Sequence, residues 1–273
     1  MPTTAQHPQA HNAQVILFDD FTANELDRSA WNLEVTGQTV NNEQQAYIDS
    51  PETIYLQPGD HDSAHGVLVI QPRYRARYVT PQGARFDFVS GRINTRGKIE
   101  FVYGSIAARI ALPAGIGFWP AFWVMGTAGE WPACGEVDIM ENAGEPDWTS
   151  VALDGPGYSG ETPLVNKKYF SADNDATAWH TYSLDWTSAG SLFFKIDGEL
   201  IYRVTRPMVE FYGRWVYDNR KFLTLNCALG GTYPFKTSGV RAPYYGLPEG
   251  TVQSIRNNDR RMLVDWVKVT RAQ

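Results

Sequence analysis

No run of about 18 consecutive apolar residues occurs in the 273-residue chain, so neither a transmembrane helix nor a membrane partner is expected. Cysteine is scarce: Cys134 and Cys227 are the only two, too few for a disulfide framework. One bridge is possible, but cysteine behaves as a small hydrophobe, which favours two free buried thiols. The five histidines are scattered, and no HExxH or CxxC pattern is present, which argues against a catalytic zinc site. Basic residues are not in excess. The net charge of -6 argues against a nucleic-acid partner.

Other patterns are missing too. "GPGYSG" around Ser159 lacks the GxSxG spacing of a nucleophile elbow and its strand–turn–helix context. "GIGFWP" lacks phosphate-loop spacing. No fixed-period repeat and no low-complexity linker divides the chain. Helical periodicity is nowhere sustained, and only "PMVEFYG" suggests a short helix. The N-terminal "MPTTAQHPQAHNAQ" has no apolar h-region and is not a signal peptide. Residues 1–14 are expected to form a flexible tail, and 15–273 a single domain.

What is abundant is aromatic: 9 Trp, 14 Tyr and 13 Phe. Most suit the faces of strands; the rest suit a cleft, because a flat ring matches the apolar face of a sugar. Strand signals dominate. "QVILFDDF", "GVLVIQPRY", "KIEFVYGSIAARIAL", "FWPAFWVMG" and "GEVDIMEN" are followed by "WHTYSLDWT", "SLFFKIDGELIYRV", "RKFLTLNCAL" and "RMLVDWVKVTR". Many alternate apolar and polar residues, as half-buried antiparallel strands do. Asp197-Gly198 predicts a tight hairpin. His180, in "WHTYSLDWT", is expected to be a hydrogen-bonded strand residue. "LQPGDHDSAHG" and "GYSGETPLVNKKYFSADNDATA" are expected to be long loops. The fold class is all-β: two antiparallel sheets packed face to face.

"GEVDIMEN" carries Glu136, Asp138 and Glu141. Strand periodicity puts Glu136 and Asp138 on one face and Glu141 on the other. A one-residue bulge at Ile139-Met140 would return Glu141 to the shared face. The two glutamate α-carbons would then lie about 13 Å apart, so two long side chains leaning inward could approach each other. Paired carboxyl groups are what glycoside hydrolysis needs. Crowding should raise at least one pKa, which suits Glu141 to act as a general acid. An amphipathic strand with a solvated acidic face is the alternative for this segment taken alone.

The wider segment "GFWPAFWVMGTAGEWPACGEVDIMENAG" resembles glycoside hydrolase family 16, in its laminarinase-like branch, which carries the ExDxxE spacing found here. Lichenases and xyloglucan transglycosylases usually have ExDxE. "NNEQQAYIDSPETIYL", "SGRINTRGKIEFVYG", "FLTLNCALGG" and "MLVDWVKV" extend the resemblance over most of residues 15–271. It implies a β-jelly-roll sandwich with a cleft across its concave sheet, and retaining endo-hydrolysis of β-1,3-glucan through a covalent glycosyl-enzyme. It implies Glu136 as nucleophile, Asp138 as its assistant and Glu141 as acid/base. Trp119, Trp123 and Trp131 match positions lining sugar subsites, and Asn41, Asn42 and Arg92 match polar positions on the non-reducing side. Asn226 alternates with its neighbours so as to face the cleft.

Many relatives hold a structural calcium. The matching ligands here would be the Asp265 side chain and the carbonyls of Asp20 and Gly66; the alternative is that Asp265 pairs with a nearby cation. No cofactor for catalysis is expected. Asp154 stands where relatives commonly have His, which bears on substrate preference. Mixed-linkage glucan, agarose or carrageenan as substrate, and a non-catalytic glucan-binding lectin, are the other readings. A polymeric substrate implies a secreted protein, and a monomer is expected.

Overall fold

The structure is a computed structural model that describes residues 13–36, 40–59, 62, 63 and 65–271. Apart from Ala13 and Gln14, the predicted N-terminal tail lies outside these residues, and Gln14 already belongs to the first strand. In chain order the early strands are β1 (Gln14–Asp19), β2 (Asn32–Leu33), β3 (Gln45–Tyr47), β4 (Ile54–Pro58), β5 (Gly66–Ile70), β6 (Arg73–Val79), β7 (Arg85–Ser90) and β8 (Arg92–Asn94). The central ones are β9 (Gly104–Ala111), β10 (Phe118–Gly126), β11 (Glu136–Glu141), β12 (Trp148–Asp154) and β13 (Leu164–Tyr169). There follow β14 (His180–Thr187), β15 (Ser191–Ile196), β16 (Glu199–Thr205), helix α1 (Arg206–Tyr212) and β17 (Lys221–Leu229). Helices α2 (Thr232–Ser238) and α3 (Glu249–Arg256) precede β18 (Met262–Arg271).

Two large sheets face each other. One has the order β13-β12-β11-β10-β17-β8-β2; the other runs β16-β15-β14-β9-β18-β5-β4, with β1 also on β18. Their ladders are antiparallel. A smaller sheet, β3-β7-β6, flanks them. The period-2 pattern explains the core. Phe118, Phe122, Val124, Leu223, Leu225 and Leu229 of the first sheet bury against Ile106, Ile110, Leu184, Trp186, Val264 and Val269 of the second. This is the pair of face-to-face antiparallel sheets that the alternation predicted, and the jelly-roll sandwich that the resemblance implied.

Local details follow from local sequence. Asp197 (φ 52°) and Gly198 (φ 81°) make the two-residue hairpin between β15 and β16, where both positions need positive φ. "PMVEFYG" is helical, as α1, with proline in its first turn. Cys134 and Cys227 are free and buried. His180 is buried on β14, its ring nitrogens 2.6 Å from Asp197 Oδ2 and 2.9 Å from the Asp175 carbonyl.

Three expectations are corrected. The loop containing "PLVNKKY" holds β13, an edge strand paired with β12. "KIEFVYG" is a turn carrying an isolated bridge at Phe101, and the strand starts at Gly104. Helices α2 and α3 form where no helical periodicity was read, because elements of seven and eight residues are too short to establish a period.

Candidate active site

The bulge falls where the spacing of the acids required it. Against β10, Asp138 pairs with Trp123 and Met140 with Phe122, leaving Ile139 unpaired. Against β12, the register breaks between Asp138 and Glu141. Val137, Ile139 and Met140 all join the core, and Glu136, Asp138 and Glu141 all line one cavity of about 460 Å³. That volume lies within the range of small-molecule sites.

The same cavity is lined by Asn41, Arg92, Trp119, Trp123, Trp131 and Asn226. Every predicted catalytic and sugar-contacting residue except Asn42 therefore meets at one place. Asn42 instead lines a neighbouring groove of about 820 Å³ with Arg77, Arg85 and Tyr244. The two spaces meet at Glu43.

Each glutamate is held by an indole. Trp131 Nε1 donates to Glu136 Oε2 (2.6 Å), and Trp119 Nε1 donates to Glu141 Oε1 (2.9 Å). Trp131 stands at the rim, 49% exposed, and Trp119 leans on Tyr233 with ring centroids 5.3 Å apart. Trp123 Nε1 donates to Asn226 Oδ1 (2.8 Å), whose amide donates to Tyr47 Oη (3.2 Å), whose hydroxyl donates to Glu43 Oε2 (3.2 Å). Arg92 lies 4.8 Å from the Trp123 ring centroid and forms an ion pair with Glu34 at 3.0 Å. It thus serves both the cleft and the salt bridge. Tyr47 and Glu43 escaped sequence reasoning, although "NNEQQAY" alternates and places them two steps from Gln45.

Burial dominates the electrostatics. Asp138 is only 6% exposed, and among the described residues no lysine or arginine forms an ion pair with any of the three acids. Burial, then the charge of Asp154, pushes Glu136 up to about 7, against the Trp131 hydrogen bond. Burial also pushes Glu141 up to about 7, against the Trp119 hydrogen bond. Asp138 is raised well above the usual carboxylate range by burial and by both glutamates. Asp154 faces Glu136 directly across the ladder, and its Oδ1 accepts from the Gly160 amide (2.8 Å). Such a cluster retains protons near neutral pH. One glutamate can then be a nucleophile while the other remains an acid.

Of the predicted calcium ligands, Gly66 (β5) and Asp265 (β18) lie on the opposite sheet, and Asp20 follows the end of β1. Asp265 is buried, 3% exposed, at a bulge in β18. Its Oδ2 accepts from Arg109 Nη1 and its Oδ1 from Ser63 Oγ, both at 2.7 Å. The Asp20 carboxylate accepts from Thr22, and the Gly66 backbone packs on the Phe21 carbonyl. Carbonyls and a carboxylate are oxygen donors of the type calcium prefers. Here, however, the one buried carboxylate is already neutralised by a guanidinium and its second oxygen taken by a hydroxyl. As placed, these groups do not fit a calcium ion, and Asp265 pairs with a cation of the chain itself.

Comparison with known proteins agrees with this geometry. The model of glycosyl hydrolases family 16 matches residues 27–235. The chain is 28% identical to glucan endo-1,3-beta-glucosidase A1 of Niallia circulans, over 99% of this chain but 39% of that protein. It is 29% identical to a beta-glucanase of Rhodothermus marinus, over 82% of this chain and 78% of that protein. The catalytic domain of an endo-1,3-beta-glucanase (laminarinase) from Thermotoga petrophila RKU-1 superposes with a TM-score of 0.79 at 28% identity, covering 97% of this chain and 100% of that one.

Proposed function

The chain belongs to glycosyl hydrolases family 16, and from that premise we propose that it cleaves β-1,3-glucan internally with retention of configuration. The observation that carries this reading is the bulge that sets Glu136 and Glu141 on one face, each held by an indole N–H, with Asp138 between them. In the first step a Glu136 carboxylate oxygen attacks the anomeric carbon. The glycosidic C–O bond breaks, and Glu141 gives its proton to the leaving oxygen. In the second step the Glu141 carboxylate takes a proton from water. The water oxygen attacks the anomeric carbon, and the ester bond to Glu136 breaks. Asp138, held protonated by burial, can donate to the nucleophile and fix its orientation. Trp119, Trp123 and Trp131 offer ring faces to the sugars, with Asn41, Asn226 and Arg92 supplying polar contacts. A polymer of this kind lies outside cells, and we place the action there.

The test is product analysis on laminarin, lichenan, agarose and carrageenan. Oligosaccharides of intermediate length should appear early from laminarin. Release from lichenan alone would move the preference to mixed linkages. Binding of laminarin with no new reducing ends would replace the hydrolase reading with a lectin.

A further inference from the structure

Lys221 is fully buried, 0% exposed, yet no carboxylate pairs with it among the described residues. It opens β17, pairs with Gly126 of β10, and lies behind the turn 131–135 that leads into β11. Its Nζ donates to the carbonyls of Gly135 (2.9 Å) and Cys134 (3.2 Å) and to Asn219 Oδ1 (2.9 Å). Three acceptors match the three N–H donors of an ammonium. A neutral amine would turn a lone pair toward one of those oxygens. Asn219 closes the arrangement by donating to the Cys134 carbonyl (2.9 Å). Gly135, at φ 75°, leaves the necessary room: a Cβ there would come within 2.7 Å of the Val216 carbonyl and 3.1 Å of Nζ.

The turn that Lys221 grips carries both ends of the nucleophile's hydrogen bond, Trp131 at its start and Glu136 just after it. We propose that Lys221 is a positioning residue, whose ammonium locks the 131–135 turn and so holds Trp131 and Glu136 in register. Among the described residues it is also the one buried ammonium, and it stands behind the acid cluster without bonding to it. This rests on Glu136 being the nucleophile. Groups facing Lys221 are Cys134 and Glu136 from the turn and β11, and Tyr217 and Asp218 from the segment before β17. Glu136 in turn faces Asp154 of β12, Glu141 of its own strand and Arg92 of β8. Burial pushes Lys221 down to about 7, opposed by Cys134, Glu136 and Asp218. The grip therefore weakens as pH rises through that value.

Lys221→Met tests this on the whole chain, with laminarin as substrate. Losing the grip should lower kcat on the order of 10²-fold, the usual cost of a small misplacement, with KM little changed. Losing the positive charge should move the acid limb of the pH–rate profile to higher pH, because Glu136 then ionises less readily. A folded variant with wild-type kcat and an unmoved acid limb overturns the proposal, as does one changed only in melting temperature. If that variant does not fold, Asn219→Ala removes one acceptor and one tie on the same turn. Its kcat should fall with KM held, and a wild-type kcat overturns the proposal. Failure of the functional reading is separable, since the wild-type chain would then release no products.

Discussion

Each large sheet buries acids, and the two treat them differently. On the sheet away from the cleft, Asp265 is 3% exposed and bound to Arg109. On the cleft sheet Asp138, Asp154, Glu136 and Glu141 crowd together with no cation bonded to them among the described residues, and burial raises all four. A buried acid with a cation bonded to it holds the fold together. A buried acid without one keeps its proton, which costs stability if it ionises but is what proton transfer at neutral pH requires. Function is therefore written in the missing partners as much as in the acids.

The contrast can be broken from either side. Glu136→Gln should give the largest effect, lowering kcat on laminarin by on the order of 10⁴-fold or more. Glu141→Gln should cost about 10²–10⁴-fold. Steady-state kinetics on both variants checks this, and near-wild-type turnover in either would remove that residue from the chemistry.

On the other sheet, Arg109→Met should leave kinetics alone and lower unfolding free energy by about 3–5 kcal/mol, the cost of stranding a buried carboxylate. Urea denaturation measures it, and a loss below about 1 kcal/mol would mean that the pair is dispensable. The smallest effect is a slope. Glu136 and Glu141 move from an ordinary 4.5 to about 7 in the fold, so the native state binds more protons than the unfolded state between those values. The stability they confer is fully present below about 4.5 and is lost as pH rises through about 7. Calorimetric Tm should fall across that window, and fall less in Glu136→Gln. Identical slopes would show that Glu136 titrates normally.

How much of this was legible in the sequence depended on periodicity. The odd spacing of Glu136 and Glu141 forced a bulge at Ile139-Met140 because regular strands forbid the shared face, and two apolar residues stood there to sink into the core. The tryptophans alternate along β10, so Trp119 and Trp123 shared a face by counting alone. Lys221 was illegible. A lysine at the head of "KFLTLNCAL" looks like a solvated strand end, and only the turn folding over it supplies three acceptors. Strand β13 was missed because its apolar residues fall on both faces, as an edge strand allows. Asp265 was found, but sequence could not choose between a metal and Arg109, which lies 156 positions away and meets it only through the β9–β18 ladder.

The central claim is that Glu136 and Glu141 work together on one face by double displacement. Proton NMR of the first anomer released from a laminari-oligosaccharide tests it most directly. The account predicts that the β-anomer appears first and mutarotates later. Initial release of the α-anomer would mean direct attack by water, and would contradict the assignment of Glu136 as nucleophile.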